Sequence, residues 1–402
     1  MNTFFNFNIN VKLRILCGFF TSLFNVMVNP FMAVFFSEYY PVSTVGVIIF
    51  IGMFLVILSN FYGGQIADTY NRKKILVTGI YLNGSALLII GFLIKFNVLI
   101  SMIVLIYWMN MFFSNIYKPS LSSLIIEITT DDDRRKIFTY NYWFSNLALA
   151  LGVAIGGIYF SKYNDIMYLL IGLATLLIGC IYSIFIQNNY RPLKIKKREG
   201  ILKNYISVLK DYKFTLFVLS GALIFSNELH ITNFVSVNLK NKDVINYIGN
   251  LSFDAFGSIA FLQILNTLVI VLFTILVNKY TKGASASFIL ILGLCIYSIS
   301  YSFTLLTTNL LLLAVAVIFA SLGELIFAPI YQTKQVELMS SEKFGVYSAV
   351  SSIFTQCAPL VASLYLLISE YINWISFFLL AFSINIFSIV CIYFIQKNRR
   401  PT

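Results

Sequence analysis

The chain is 402 residues long; 59% of the residues are hydrophobic, 11% are charged, and the mean hydropathy is +0.85. Because soluble proteins carry about 25% charged residues, this composition excludes a soluble globular domain, a disordered chain and a disulfide scaffold. The net charge of +12 is interpreted as a membrane-orientation signal, since a nucleic-acid partner would require a clustered basic face on a soluble domain. We therefore expect a polytopic membrane protein that does not bind nucleic acid.

Twelve apolar segments are long enough to cross a bilayer as helices, which takes about 20 residues each. A β-barrel would instead show alternating segments of about 10 residues, and an open sheet would leave unpaired edges in lipid. The sequence thus predicts an all-α membrane protein with twelve transmembrane helices. The predicted spans are about 15–37, 43–66, 75–95, 98–127, 137–161, 165–187, 214–238, 252–278, 285–307, 309–332, 345–369 and 372–395.

The distribution of lysine and arginine predicts that both termini are cytoplasmic. With that orientation, 22 of these residues lie on the inner side and 4 on the outer side, as the positive-inside rule expects. The longest inner loop, 188–213, is basic and is interpreted as a cytoplasmic linker. It separates two predicted domains of six spans each, 1–187 and 214–402.

The two predicted halves repeat a proline–glutamate spacing. Pro119 precedes Glu127 by eight residues in the fourth span, and Pro329 precedes Glu337 by eight residues in the tenth. The two pairs are 210 residues apart, and such internal duplication is typical of transporters that work by alternating access. We therefore predict two pseudo-symmetric six-helix bundles.

The loop between the second and third spans carries the most specific motif. Residues 63–74 read GGQIADTYNRKK, which resembles the signature loop of the major facilitator superfamily. Gly64, Asp68, Asn71 and the three following cations match the family pattern, whereas Thr69 departs from its usual cation. Gly64 would permit close helix approach, and the cations would cap the facing helix. The alternative interpretation is a solvated basic turn.

This resemblance implies a twelve-helix major facilitator fold with a cytoplasmic gate at the loop. In such a gate, Asp68 pairs with cations of its own loop and of the turn before the fifth span. Glu127 and Glu337 lie at corresponding cytoplasmic ends of the fourth and tenth spans and are assigned to the gate as well. The predicted gate residues are Gly64, Asp68, Arg72, Glu127, Arg134, Arg135 and Glu337.

The fifth span and several later segments narrow the resemblance. Residues 152–157, GVAIGG, resemble the antiporter motif of the superfamily with valine in place of proline. Gly152, Gly156 and Gly157 are therefore assigned to close helix packing, with ordinary structural packing as the alternative. Further segments are similar, in matching order, to LmrP-type multidrug/proton antiporters, which implies proton-coupled export. These segments are 141–147, 233–237, 322–329 and 337–347.

Two acidic residues fall at bilayer depth, where a charge costs at least about 2.5 kcal/mol. Glu324 lies in the middle of the tenth span, where LmrP-type antiporters carry a glutamate for drug binding and proton coupling. Glu228 lies one helical turn before Thr232, which stands in place of a family acid, and is interpreted as its substitute. His230, the one histidine of the chain, is either a proton-exchanging group or a hydrogen-bonded core residue. Asn141 stands where the family has another acid.

The remaining polar residues within the spans are predicted to line a substrate cavity. Lys118 in the fourth span either pairs with a buried acid or binds an anionic group of the substrate. Thr21, Asn25 and Asn29 repeat every four residues and so share one helix face, and Asn115 precedes Lys118 in the fourth span. The aromatic content of 17% suits a pocket for amphiphiles, with lipid-facing side chains as the alternative.

With one histidine and five scattered cysteines, the sequence predicts no metal site, no cofactor and no enzyme active site. The favoured function is proton-coupled export of amphiphilic, toxic compounds by alternating access, with the proton gradient as the energy source. The alternative is dedicated export of one natural product, such as a peptide antibiotic, a metallophore or a lipid-like compound. The expected setting is a bacterial plasma membrane, in which a monomer acts on small amphiphilic substrates and protons.

Overall fold

The computed structural model describes residues 9–121, 131–186, 201–280, 285–340 and 344–397, and most of these residues are helical. A helix pairs its backbone groups internally, which is what an apolar segment requires in lipid. The α-helices are α1 (Ile9–Val28), α2 (Met32–Ser37), α3 (Val42–Thr69), α4 (Arg72–Lys95), α5 (Ile100–Ile116), α6 (Asp131–Phe185), α7 (Ile201–Leu209), α8 (Tyr212–Phe225), α9 (Ser236–Asn241), α10 (Ala255–Tyr280), α11 (Ala286–Phe303), α12 (Leu310–Glu337), α13 (Phe344–Ile368) and α14 (Trp374–Lys397). Two 3₁₀ turns (Asn29–Phe31 and Thr304–Leu306), a π-helical turn (Ile231–Val235) and strands β1 (Asn246–Ile248) and β2 (Leu251–Phe253) connect them.

The helices account for the twelve predicted spans. Ten helical segments of the described chain are long and apolar enough to cross a membrane, and nine of them correspond to one predicted span each. The tenth, Phe144–Phe185, has 42 residues, about twice what one crossing needs, and corresponds to the fifth and sixth spans. The predicted seventh span is the shorter apolar helix α8 with its continuation.

The first half of α6 runs alongside α1 in the same direction. Gly152 lies against Leu23, where an added Cβ would stand 2.8 Å from the Leu23 carbonyl oxygen. One turn later, Gly156 lies against Met27, whose carbonyl carbon would stand 3.1 Å from a Cβ added to Gly156. Sequence numbers therefore rise together along this contact, and two small residues let the helices approach closely.

The second half of α6 runs against the direction of α4. Gly84 of α4 lies against Leu176, and Gly91 lies against Leu169, so the numbers run in opposite directions. Because α1 and α4 lie side by side and parallel, the two halves of α6 must be antiparallel. The chain reverses at Tyr163, whose φ of −131° and ψ of 30° are not helical. The long helix is thus two membrane crossings.

The chain forms two compact units. The N-terminal unit comprises Met1–Met32 and Ile51–Lys196, and the C-terminal unit comprises Ala33–Phe50 and Lys197–Thr402. Helix α7 lies within the predicted linker 188–213, whereas residues 187–200 are outside the described chain.

Three helix pairings of the N-terminal unit recur in the C-terminal unit. In the N-terminal unit α1 packs on α6, and α4 packs on α5 and α6, which joins the first span to the fifth and the third to the fourth and sixth. In the C-terminal unit α8 packs on α13, and α11 packs on α12 and α14. These are the seventh span with the eleventh, and the ninth with the tenth and twelfth. The same pairings in each unit are what the predicted internal repeat requires.

The seventh span is broken, although the sequence predicted a continuous helix over 214–238. Helix α8 ends at Phe225, and the backbone N–H groups of Asn227 and residues 229–231 then bond to the third preceding residue, up to the start of the π-helical turn at Ile231. The Ser226 hydroxyl donates to the Leu223 carbonyl and the Asn227 amide donates to the Ile224 carbonyl, both at 2.7 Å. Such side-chain bonds compete with the helical ladder, so the α-helical spacing is lost here without a proline or glycine.

A short hairpin occupies what the sequence predicted as the start of the eighth span. Leu251–Phe253 pair with Asn246–Ile248 in an antiparallel ladder closed by a two-residue turn. Gly249 begins that turn with a φ of +59°, a conformation that glycine adopts readily. The eighth span therefore begins at Ala255 in α10 and not at 252.

Candidate functional site

The two predicted intramembrane acids come together in the C-terminal unit because α8 and α12 pack antiparallel. Phe217 stacks on Tyr331 with ring centroids 4.7 Å apart, and Phe225 contacts Phe327 at 5.6 Å. Because the two helices run in opposite directions, the residues that follow Phe225 lie beside the residues that precede Phe327. Glu228 and Glu324 are therefore brought into electrostatic range of each other.

Glu228 lies in the break of the seventh span and is held by a neighbouring amide. The Asn266 side chain on α10 donates to Glu228 Oε1 at 3.2 Å. The other end of this amide is oriented in turn, since the Ser321 hydroxyl donates to Asn266 Oδ1 at 2.7 Å. A relay of neutral hydrogen bonds thus connects α12, α10 and the carboxyl group at the break.

Glu324 is held less tightly than Glu228. It lies on α12, and its Oε2 is buried without a hydrogen-bond partner among the described residues. Tyr297 and Tyr301 of α11 are buried, lie within electrostatic range of both acids, and have hydroxyl groups without a described partner. Gly323 permits this proximity, because it lies directly against the backbone of Tyr297. The pair of acids is therefore bordered by aromatic rings and hydroxyl groups.

His230 does not fit the expectation of a hydrogen-bonded core histidine. Its ring is fully buried, and neither ring nitrogen has a hydrogen-bond partner in the described chain. The imidazole instead packs edge-on against Tyr365, with centroids 4.7 Å apart, and near Phe377 at 6.4 Å. It lies two residues after Glu228, inside the same helix break.

A second polar cluster holds the break on its other side. Asn227 and Asn385 exchange side-chain hydrogen bonds at 2.8 and 3.2 Å, and Asn385 also donates to Ser302 at 3.1 Å. All three residues are buried. Since α14 and α11 supply Asn385 and Ser302, these helices fix the backbone immediately before Glu228. Asn385 belongs to no recognisable motif, and in the sequence it is only a polar residue within an apolar span.

The N-terminal unit contains a cavity of about 280 Å³ that gathers several predicted residues. Pro119 lacks an N–H and cannot donate to the Asn115 carbonyl, so α5 ends at Ile116 and Lys118 lies just beyond the interruption. Lys118 is exposed to the cavity and its Nζ donates to Asn115 Oδ1 at 2.7 Å. The cavity is lined by Arg14, Ile15, Gly18, Phe19, Thr21, Ser22, Asn25, Tyr117, Lys118, Leu121, Asn141, Phe144 and Ser145.

Four asparagines were predicted for this cavity, and they have different roles. Asn25 and Asn141 line it. Asn115 lies behind Lys118 and donates to the Met111 carbonyl at 2.9 Å. Asn29, which begins the 3₁₀ turn Asn29–Phe31, is not among the described residues that line the cavity. Arg14, one of the 22 cations assigned to the inner side, also lines the cavity.

The signature loop uses its residues differently from the prediction. Gly63, and not Gly64, provides the close approach to α5, since an added Cβ would lie 3.0 Å from the Ile116 carbonyl carbon. At Gly64 no described atom lies within 4 Å of such a Cβ. The facing helix α4 is capped by Asn71, whose side chain accepts from the Lys73 and Lys74 backbone N–H groups. The loop cations therefore lie in the first turn of α4 and do not cap it.

The other gate residues are described only in part. Arg72 is buried at the start of α4 and takes part in further interactions. Asp68 lies in the last turn of α3, but its side chain, Glu127 and the side chains of Arg134 and Arg135 are outside the described part of the chain. At the end of α12, Lys334 pairs with Glu337 at 3.1 Å, as residues three apart on one helix can do.

The segment between the first two spans makes polar contacts within the C-terminal unit. Lys240 Nζ lies 2.8 Å from Glu38 Oε1, and the Ser43 backbone N–H donates to Glu370 Oε2 at 2.7 Å. The hydrogen bonds from the side chain and backbone of Ser43 lower the pKa of Glu370. By the predicted topology these contacts belong to the extracellular side. These contacts have no signal in the sequence, because they join residues far apart in the chain.

Sequence comparison places the chain among known transporters. The model of the Major Facilitator Superfamily matches residues 15–363. The chain is 22% identical over 368 residues to a Na⁺, Li⁺, K⁺/H⁺ antiporter of Planococcus maritimus, covering 87% of this chain and 86% of that protein. It is 23% identical over 191 residues to the uncharacterized transporter YqjV of Bacillus subtilis (strain 168), covering 46% of each. The narrower resemblance to LmrP-type antiporters stays a prediction.

Structural comparison agrees on the fold. A peptide transporter POT superposes with a TM-score of 0.75 at 12% identity, covering 96% of this chain and 94% of that one. The nucleoside transporter NupG superposes with a TM-score of 0.72 at 9% identity, covering 98% and 100%. The chain is thus a multi-pass membrane transporter and not an enzyme, and its bacterial relatives indicate the plasma membrane. It belongs to the Major Facilitator Superfamily.

Proposed function

We propose that this protein is a proton-coupled antiporter that exports amphiphilic compounds from the cell. Glu228 and Glu324 form the coupling site and alternate between holding protons and interacting with a cationic substrate. The observation that carries this proposal is the proximity of the two carboxyl groups at a helix break within the membrane.

The physical argument rests on charge. Two negative charges at bilayer depth, close together and without a described ion-pair partner, are costly. A proton or a cation relieves that cost. The site is therefore more stable with either of them bound than when it is empty. Competition of this kind is what antiport requires, because each partner must leave before the other binds. The Asn266 amide, by donating to Glu228, keeps one carboxyl oriented in both conditions.

The surroundings of the acids support an organic cation. The rings of Tyr297 and Tyr301 lie 4.8 Å apart, and Tyr297 contacts Phe327 at 5.1 Å. Aromatic faces attract cations and also accept flat apolar bodies. An amphiphilic cation would use both properties of this wall.

Export of small inorganic cations is a second candidate. It is favoured by the similarity to a Na⁺, Li⁺, K⁺/H⁺ antiporter over 87% of the chain. Discontinuous helices with free backbone groups suit such ions in other transporters, and the seventh span is broken beside Glu228.

Transport by everted membrane vesicles distinguishes these functions. Vesicles containing the protein are acidified inside, and a pH-sensitive dye reports proton release after addition of a lipophilic cation dye, NaCl, LiCl or KCl. Proton release on addition of the lipophilic cation is expected for the proposed function, and release with the inorganic salts alone would support the second candidate. Choline chloride controls for ionic strength.

The coupling residues are tested by Glu324→Gln, which keeps the shape of the side chain and removes its charge. Its proton release is expected to fall to the level of vesicles without the protein. The matched control is Asp243→Asn, which neutralises an exposed carboxyl group outside the spans; Asn tolerates the positive φ of 47° found there. Unchanged proton-coupled efflux by Glu324→Gln would overturn the assignment.

A further inference from the structure

The cavity of the N-terminal unit carries positive charge that the coupling site does not use. Arg14 on α1 and Lys118 beyond the end of α5 both line this space of about 280 Å³. Its size is close to the lower end of small-molecule pockets, which begin at about 300 Å³.

The two cations retain capacity for a ligand. Lys118 has three N–H donors, and one described hydrogen bond, to Asn115, uses one of them. Arg14 is half-buried and contributes a planar guanidinium with five donors. The described lining residues include no carboxylate. Two like charges that line one cavity within a membrane unit are costly, and an anion between them would relieve the repulsion.

The rest of the wall indicates what kind of anion fits. Asn141 and Ser145 add neutral hydrogen-bonding groups. Phe19 and Phe144 form an apolar corner, with ring centroids 5.7 Å apart in an edge-to-face arrangement. Gly18 leaves the wall open, since a Cβ added there would have no described atom within 4 Å. A compact ligand with one anionic end and one apolar body would satisfy all of these groups.

We infer that this cavity binds a small organic anion, with Arg14 and Lys118 holding its carboxylate or phosphate and the Phe19–Phe144 corner holding its apolar body. This inference goes beyond the proposed function, because the cavity lies within the N-terminal unit and its described lining residues include neither Glu228 nor Glu324. Guanidinium groups bind such oxyanions in a bidentate manner, so Arg14 sets the orientation and Lys118 adds charge.

Ligand-dependent thermal stability of the purified full-length protein tests the inference. In dodecyl maltoside, which has no anionic headgroup, benzoate is titrated at constant ionic strength, and benzamide is the neutral isostere. Benzoate is expected to raise the melting temperature in a saturable manner and benzamide is not. Arg14→Gln and Lys118→Gln should each weaken benzoate binding by about 10- to 100-fold, the loss of one charge-assisted hydrogen bond. Lys95→Gln, at the far end of α4, is the matched control.

A second pair of variants keeps the test valid if the charge variants fold poorly. Gly18→Phe should fill the cavity and abolish the benzoate response, whereas Gly18→Ala should preserve it. An equal response to benzoate in wild type, Arg14→Gln and Gly18→Phe would overturn the inference, as would an equal response to benzamide. The proposed function fails separately, since it depends on Glu324→Gln in vesicles, and that variant should bind benzoate like the wild type.

Discussion

The closest helix crossing near the coupling site makes a quantitative prediction for Gly323→Ala. An added Cβ would stand 2.6 Å from the Tyr297 backbone nitrogen and 2.9 Å from the Gly293 carbonyl oxygen. Ordinary contact begins at 3.4 Å, so α11 and α12 must separate by about 0.8 Å against backbone atoms that cannot rotate away. Overpacking of this kind costs about 1–3 kcal/mol, while replacing glycine by alanine in a helix gains about 1 kcal/mol.

Gly323→Ala is therefore expected to lose up to about 2 kcal/mol of folding stability, and the matched variant Gly18→Ala to gain about 1 kcal/mol. In domains of 150–250 residues each kcal/mol corresponds to about 2–4 °C in melting temperature. Because the shift per kcal/mol becomes smaller in longer chains, we expect Gly323→Ala to melt about 1–6 °C below Gly18→Ala. The same separation moves Tyr297 away from Glu324, so proton-coupled transport should fall as well.

The assay is thermal melting of both variants in detergent, followed by size-exclusion chromatography of the heated samples. Proton-coupled transport is measured in parallel in vesicles at equal protein levels. If Gly323→Ala melted at or above Gly18→Ala, the close approach of α11 and α12 would not be as tight as described here. Normal transport with reduced stability would separate the packing of Gly323 from the positioning of Glu324.

Three further predictions concern other parts of the molecule. Glu370→Ala should lower the melting temperature at pH 7 but not at pH 3. Ser43 lowers the pKa of Glu370, so this stabilisation is present above the unfolded-state pKa of about 4.3 and is lost as the pH falls through the folded-state pKa. An equal difference in melting temperature between the variant and the wild type at every pH from 7 to 3 would contradict this. Gly63→Ala should destabilise the protein by about 1–3 kcal/mol while Gly64→Ala should not, and equal melting temperatures would refute the assignment of the contact to Gly63. His230→Phe should melt at or above the wild-type temperature, since neither ring nitrogen has a described hydrogen-bond partner; a fall of several degrees would reveal a missing bond.

Composition and hydropathy determined the class of this protein and the number of its spans. A helix in lipid needs a minimum apolar length, so the twelve predicted segments are read directly from the chain. The reversal at Tyr163 was also predictable, because residues 162–164 separate two segments that are each long enough to cross. The signature loop at 63–74 then indicated the superfamily that the family comparison shows.

The break in the seventh span was not predictable from hydropathy. Residues 226–230 contain neither proline nor glycine, which are the usual signals for a helix interruption. The interruption depends on side-chain bonds of Ser226 and Asn227 to the backbone and on Asn385 from another helix. Partners from distant helices have no periodic signal in a single sequence.

Sequence by itself identified Glu228, Glu324 and Lys118 as costly charges that require a reason, because the bilayer penalises ions wherever they lie in a span. Only the tertiary structure decided which groups meet. The antiparallel packing of α8 on α12 sets Glu228 near Glu324, and the interruption at Pro119 turns Lys118 into the cavity that Arg14 shares. Helix packing fixes such pairings through side-chain shape across elements remote in sequence, and hydropathy along the chain contains no record of that shape.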